Sequence, residues 1–363
     1  LGGGRVGAGC ERELRERRAG GSPVKMAGQT RVAPGYVARR AGVTDAPFRK
    51  SAREFGAGLA CTEMISSEAL TRQHRETFRL MDLSWDQRPV SVQLMGGDPT
   101  VMAQAARMAE AAGADIVDIN MGCPVPKVVK TSGGSSLLQD PDRACRVAAA
   151  VVGPVQVPVT VKIRLGWDFQ SRNYVEMATR LESTGIQGLA VHGRTRSQRY
   201  DPWADWHAIG EVKAAVKIPV AGSGDLRTAA DAVRRMAETQ VDAVMLGRGI
   251  LGNLWLIRQT VAKLTTGEEV PEQSWVDRIE LVRRHCDLVL EYYGPERGSR
   301  LLRKFLAWGL KGFRGAPRLR TMVQSVASAA DISRVLDEAL ATDPALLTLN
   351  DPVEGAPEGC EAA

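Results

Sequence analysis

At 363 residues the chain can hold one barrel of ordinary size plus a smaller domain, and a hydrophobic share of 44% is that of a globular protein. Its apolar stretches are broken by Gly, Pro or charge, which excludes a membrane-spanning helix. The six cysteines (Cys10, Cys61, Cys123, Cys145, Cys286 and Cys360) include no C-x-x-C pair. That argues against a zinc or iron–sulfur site and against a disulfide framework, and it fits a reducing cytoplasm. A net charge of +6 and an isoelectric point near 9.1 allow an anionic partner without establishing one.

In chain order, the first 25 residues hold seven Gly and a charge run at 11–18, with no apolar core of a signal peptide. Residues 1–28 are therefore expected to be a disordered extension, with Met26 a sensible start. Short Val/Ile-rich runs follow at 59–62, 89–94, 115–119, 158–163, 188–192, 218–221 and 242–246. Helix-like segments lie between them at 98–112 (with Asp98 as N-cap), 140–152, 173–184, 205–216 and 228–239. Strands alternating with helices imply right-handed βαβ units and a parallel sheet. Tyr36-Val37-Ala38 is the candidate for an eighth strand, so the expected fold class is α/β, a (β/α)8 TIM barrel over 29–262. A doubly wound open sheet is the alternative. The barrel is preferred because polar signals fall at the C-terminal end of nearly every strand. From 263 the strand signal stops, and helices at 272–293, 297–313, 317–328 and 330–341 predict a smaller all-helical domain over 263–345. A Pro-, Gly- and Glu-rich tail, 346–363, is expected to be disordered.

The strand ends carry the chemistry. Gln93 ends one strand; Asn120 and Cys123 follow the next; Lys162 and Arg164 end another. His192, Arg194 and Arg196 come after that, then Gly222-Ser223-Gly224-Asp225 and Gly247-Arg248-Gly249. In a barrel these positions converge on one mouth. The last two loops are glycine-rich and follow the seventh and eighth strands, where backbone N–H groups and a helix N-terminus can hold a phosphate. Arg248 would add a charge-assisted bond. Lys162 would suit the pyrimidine end of a flavin, and Gln93 and Asn120 the paired edge of its ring. Each signal alone is weak: a lone Gly-x-Gly is most often a turn, and a buried Cys most often a small core residue. Their joint occurrence at six successive strand ends is what structural roles leave unexplained.

The stretch 118–130, Asp-Ile-Asn-Met-Gly-Cys-Pro-Val-Pro-Lys-Val-Val-Lys, resembles the active-site loop of the tRNA-dihydrouridine synthases, closest to the bacterial B-type branch. Ala41-Gly-Val-Thr-Asp-Ala-Pro-Phe-Arg49, Val161-Lys-Ile-Arg164, Val191-His-Gly-Arg-Thr195 and Leu302-Arg-Lys-Phe-Leu-Ala-Trp308 fit the same family. The resemblance implies an FMN-dependent enzyme that reduces selected uridines in tRNA, with NADPH reducing the flavin. It makes Cys123 the general acid at C5 of uracil, and a thiol, with an ordinary pKa of about 8.5, is mostly protonated at neutral pH. It makes Ala41, Gln93, Asn120, Lys162 and His192 contacts of the flavin ring region, and Ser223, Gly224, Asp225, Gly247 and Arg248 its phosphate arm. Lys127, Lys130, Arg164, Arg194 and Arg196 are the cations expected to meet an extruded uridine and its backbone. No metal is expected, and the protein is expected to be a cytoplasmic monomer.

Two features complete the reading. Residues 297–314 carry Arg297, Arg300, Arg303, Lys304, Lys311 and Arg314, which at about 100° per residue fall within a sector of roughly 120°. Apolar residues fill the remaining arc, so Arg300, Lys304 and Lys311 are expected on a cationic face for tRNA. Gly309 and Gly312 weaken the assumption of one continuous helix. The chain also departs from the family: Ala38-Arg39-Arg40 precedes Ala41 where Ala-Pro-Met is usual, and Ser223 stands where Asn is usual. A flavin barrel reducing a free pyrimidine, and a tRNA-binding protein that has lost flavin, are the alternatives.

Overall fold

The computed structural model describes residues 24–26, 30–32, 35–37, 43–311 and 316–341. A short antiparallel ladder pairs β1 (Val24–Met26) with β2 (Thr30–Val32). Eight parallel strands then close a barrel: β3 (Gly35–Val37), β4 (Leu59–Ser66), β5 (Val90–Met95), β6 (Ile116–Met121), β7 (Val159–Arg164), β8 (Gly188–His192), β9 (Val220–Ser223) and β10 (Ala243–Leu246). β10 pairs with β3 and closes the ring, so the expected first strand exists at Gly35–Val37. Closure, rather than an open doubly wound sheet, follows because every strand finds two neighbours.

The pleat separates two cores. Val117, Ile119, Val161, Ile163, Leu189 and Val191 are buried in the large cluster that the surrounding helices cover, whereas Tyr36, Leu59, Ile116, Ala190, Ala221 and Ala243 pack inside the barrel. Helices follow the strands as expected at Pro99–Ala111, Pro141–Val152, Tyr174–Glu182, Trp206–Ala215 and Ala229–Thr239. Asp98 caps the first of these, its Oδ1 accepting from Val101 N at 3.0 Å. Helices at Ala46–Glu54, Ser67–Thr71, Arg75–Leu80 and Trp255–Thr265 are additional to those expected. The last runs past 262, so the expected boundary there falls within a helix.

Four helices complete the described chain: Trp275–Tyr293, Pro295–Gly309, Ala316–Gln324 and Ala329–Leu340. They dock on the barrel through Phe48, His285, Phe305 and Trp308, with the His285 and Phe305 ring centroids 4.6 Å apart. Tyr292 Oη donates to Asp82 at 2.6 Å and Ser51 Oγ lies 3.1 Å from His285 Nδ1. Gly252, at φ +71, admits the end of the helix at Trp308: a Cβ there would lie 2.4 Å from that residue's carbonyl. No helix among the described residues is long and apolar enough to cross a membrane.

Two expectations change, and one lies outside what the structure describes. The ladder Val24–Met26 lies within the stretch 1–28 expected to be disordered; the rest of that stretch, and the tail 346–363, lie outside the described residues. The helix expected at 297–313 stops at Gly309, so Lys311 falls beyond it and Arg314 outside the described residues. Ala41, with Arg39 and Arg40, also lies outside them.

Asp45 caps the helix Ala46–Glu54 where the helical segment meets the barrel, its Oδ1 accepting from Phe48 N at 3.1 Å. Burial, assisted by the Glu63 charge, pushes its carboxyl up to about 6 against the pull of Phe48 N–H, the Tyr293 hydroxyl and Lys304. A folded value above the unfolded one means ionisation costs stability, and the cost grows from about pH 4 to about pH 6, then stays constant. Asp45→Asn keeps the cap and removes the charge. It is expected to raise stability at pH 7 by on the order of 1 kcal/mol and to leave it unchanged at pH 4. Urea unfolding at both values checks this, and an equal change at the two would refute it.

Candidate active site

Alternation along β6 to β9 aims Asp118 and Asn120, Thr160, Lys162 and Arg164, Ala190 and His192, and Ala221 and Ser223 into the barrel. Asp118, Thr160, Lys162, Ala190 and Ala221 line its interior cavity together with Tyr36, Gln93 and Met245. Register then aligns neighbours: Asn120 is opposite Lys162, Arg164 opposite His192, and His192 opposite Ser223.

Gln93 and Asn120 form one buried chain of hydrogen bonds. Thr160 Oγ1 donates to Asp118 Oδ1 at 2.6 Å, and Gln93 Nε2 donates to Asp118 Oδ2 at 2.5 Å. Asn120 Nδ2 donates to Gln93 Oε1 at 2.7 Å, while its Oδ1 accepts from Cys123 N at 2.9 Å and Gly122 N at 3.2 Å. A register shift between Cys61 and Met64 in β4 brings Thr62 Oγ1 to accept from Gln93 N at 3.1 Å. The Asp118 carboxylate thus fixes which way both amides face, and through Asn120 it fixes the turn that carries Cys123. Asp118 belongs to the loop motif but carries no site role in the sequence reading; its place inside a strand reads as buried only once the pleat direction is known.

Cys123 is buried at the rim, 7% exposed. Its carbonyl accepts from Ser135 N at 3.0 Å. Gly134, at φ +58, leaves the space: a Cβ there would lie 2.8 Å from the Cys123 carbonyl oxygen. Arg164 clamps the same turn, donating from Nε to Gly122 O at 2.9 Å and from Nη1 to Thr195 O at 2.8 Å and Arg199 O at 3.0 Å. Burial pushes its guanidinium down to about 10, and the nearby charges of Arg194 and Arg248 act in the same direction. Lys127 and Lys130 are exposed, on and just beyond the short helix Pro126–Val129 that follows.

The other side of the mouth is an arginine cluster. Arg194 is 2% exposed and donates to Pro202 O at 2.7 Å and to Asp225 Oδ2 at 2.6 Å. Arg248 reaches Asp225 Oδ1 at 2.8 Å, and Ala204 N reaches Asp225 Oδ2 at 2.7 Å. Burial opposes ionisation of Asp225, but the Arg194 and Ala204 hydrogen bonds and both arginine charges outweigh it and hold the carboxyl below its ordinary range. His192 is held neutral: burial first, then Arg164, Lys162, Arg194 and Arg248, push its imidazolium well below the ordinary value. Arg194 Nη1 lies 3.3 Å from His192 Nε2 and can only donate to it, which favours the tautomer with its proton on Nδ1.

Several site expectations shift accordingly. Arg194, expected to meet substrate, is a buried prop for His192 and the 202–204 backbone. Asp225, expected at a phosphate arm, is the carboxylate that holds Arg194 and Arg248. Gly247 leads into a three-residue 3-10 turn, Arg248–Ile250, not directly into a helix. Ser223 Oγ donates to Met245 O at 3.2 Å, and Gly224 takes φ +139 against Ala204 and His192. Arg196 lies over the Trp167 ring, 4.3 Å from its centroid.

The cationic helix face is also divided. Arg300 is exposed, but Lys304 lies over the Phe305 ring, where its charge acts on the half-buried Asp45 and the buried His285. Arg303 donates to Val326 O at 2.7 Å and Arg297 pairs with Glu76 at 3.2 Å. Arg49, the last residue of the Ala41–Arg49 motif, is fully buried on Asp86 at 2.6 Å and on the Thr44 and Asp82 carbonyls, a structural role. Tyr200 stands at the mouth, where sequence reasoning does not look: it is 48% exposed with Arg248 over its ring at 4.5 Å.

Barrels of this kind do chemistry at the carboxyl ends of their strands, and here a thiol, a neutral imidazole and converging cations meet there. Fold and site together define a TIM-barrel enzyme. The sequence decides which: residues 36–343 match the family described as Dihydrouridine synthase (Dus). A Rickettsia bellii protein described as probable tRNA-dihydrouridine synthase is 42% identical over 290 residues, 78% of this chain and 89% of its own. The tRNA-dihydrouridine synthase B of Pseudomonas aeruginosa is 41% identical over 285 residues, 78% of this chain and 86% of its own. The chain belongs to the dihydrouridine synthase family.

Proposed function

We propose that the chain reduces uridines in tRNA to 5,6-dihydrouridine in the cytoplasm, with FMN held in the barrel mouth and NADPH as reductant. The observation that carries this reading is the Cys123 turn, oriented by Asn120 and Arg164 beside the exposed Lys127 and Lys130. The residues present fit a flavin. Lys162, Arg164, Arg194 and Arg248 all converge on His192, and two of them share the Asp225 carboxylate. Such a site suits a phosphate and a ring that gains negative charge on reduction. Bound there, FMN would supply the hydride chemistry.

The chain's own residues do the rest. Gln93 and Asn120, locked by Asp118, would hold the ring edge, and Lys162 and His192 would favour negative charge there. The loops 223–225 and 247–248 would take the phosphate arm, with Asp225 aiming Arg248. Cys123 would hold a proton at Sγ and deliver it to C5 of the uracil, the neighbour of C6 in the double bond that is reduced. An extruded uridine reaches this rim past Lys127, Lys130, Arg164 and Arg196. In this reading 29–262 is the FMN-binding unit and 263–345 a tRNA-binding helical unit that contributes the exposed Arg300 to the RNA-facing side of a monomer.

The test is the visible spectrum of the purified protein with its released cofactor identified, followed by dihydrouridine formation on unmodified tRNA. Released FMN and NADPH-dependent conversion are expected. A colourless protein that FMN cannot reconstitute would overturn the enzymatic reading, and reduction of free uracil with none of tRNA would overturn the substrate.

A further inference from the structure

Among the described residues four Phe, Tyr or Trp side chains are exposed, and three of them, Phe169 (61%), Tyr200 (48%) and Trp203 (66%), lie on the loops after β7 and β8 at the barrel mouth. Arginines from neighbouring loops cover rings there. Arg227, after β9, lies 5.0 Å from the Trp203 centroid; Arg248, after β10, lies 4.5 Å from Tyr200; Arg196 lies 4.3 Å from Trp167.

These rings are presented on braced backbone. Trp203 stands between two anchors, the Pro202 carbonyl held by Arg194 at 2.7 Å and the Ala204 N–H held by Asp225 at 2.7 Å. Phe169 projects from a turn in which Asp168 Oδ1 accepts from Gln170 N at 3.0 Å and Ser171 N at 2.9 Å. The two loops are joined by Arg196 N to Gly166 O at 2.9 Å, Ser197 N to Trp167 O at 3.0 Å and the Arg172–Asp205 pair at 2.6 Å. Rigid, solvent-facing rings with guanidinium groups beside them are what single-stranded nucleic acid binds: bases stack on the rings and phosphates meet the cations.

We propose that Trp203 and Phe169 form a stacking platform for unpaired RNA bases next to the reacting uridine, with Arg227 and Arg196 meeting the intervening phosphates. The inference rests on tRNA being the substrate. Extruding one nucleotide unstacks its neighbours, and a platform beside the mouth offers them replacement contacts. Because the rings are held in place beforehand, little is lost in ordering them on binding.

The test uses the full chain with Trp203→Ala, Phe169→Ala and the conservative Trp203→Phe. Binding of unmodified tRNA and of a short single-stranded RNA is measured without NADPH. Each alanine variant is expected to raise Kd about five- to hundredfold, the loss of one stacked base, and Trp203→Phe to recover most of it. Melting temperature and bound cofactor should be unaffected. A tRNA abasic at a neighbouring position should bind wild type more weakly but Trp203→Ala no more weakly still. Wild-type affinity in both alanine variants would overturn the platform while leaving uridine reduction intact, and would point to a protein partner for this rim. Conversely, if wild type reduces no uridine in tRNA but the alanine variants still lose single-stranded RNA binding, the platform stands and the substrate reading falls.

Discussion

Replacing Cys123 by Ala is expected to lower dihydrouridine formation on tRNA by about 10²–10⁴-fold, the usual worth of a positioned general acid. The backbone N–H that fixes the turn, Cys123 N to Asn120 Oδ1 at 2.9 Å, survives the change. The Arg164 clamp on Gly122 and the Ser135 bond to the Cys123 carbonyl survive as well. Cofactor content and tRNA affinity should therefore match wild type, so that the loss appears in kcat and not in KM. Single-turnover assays at saturating tRNA measure it. A kcat within a few-fold of wild type would mean that the C5 proton comes from elsewhere, and the role of the thiol would have to be abandoned.

The second large effect is on stability. Asp225→Ala removes the carboxylate that accepts from Arg194 at 2.6 Å, Arg248 at 2.8 Å and Ala204 N at 2.7 Å. Arg194 is 2% exposed, so a buried cation is left without its counter-charge, beside Arg164 and Arg248. Breaking a buried pair in this way costs about 3–5 kcal/mol. Arg194→Met combined with Asp225→Ala should cost less than the sum of the two single changes, because the charges are removed together. Urea unfolding of the three variants reads this directly. A loss under about 1 kcal/mol for Asp225→Ala would show that solvent reaches Arg194 and compensates its charge.

Some site positions have surroundings that do not permit the roles their sequence context suggests. Arg194 and Asp225 read as facing ligand because Arg and Asp at strand ends ordinarily face solvent; here each is the other's partner, about thirty residues apart in sequence. Lys304 and Lys311 fall on one helical face by angle alone. The helix stops at Gly309, where a Cβ would lie 2.6 Å from Val282, and Lys304 lies over the Phe305 ring, 5.1 Å from its centroid.

Several strands also run one to four residues beyond the ends that their apolar runs suggest. Asn120, Arg164 and Ser223 each still pair with a neighbouring strand, because polar residues there are satisfied by partners within the barrel and not by water. Tyr200 and Trp203 leave no periodic signal, since an irregular loop has none.

What the sequence determined by itself was the barrel and the contents of its mouth. The alternation of apolar runs with amphipathic helices is a local property, and each run carries its own polar residue at its C-terminal end, so counting runs is enough to place Gln93, Asn120, Cys123, Lys162 and His192 together. Only the tertiary structure decided which of the mouth's polar groups hold one another. Hydrogen bonds such as Asp118 to Gln93, and ion pairs such as Arg194 to Asp225, join residues 25 and 31 positions apart. Their geometry depends on strand register and barrel closure, which no local pattern encodes.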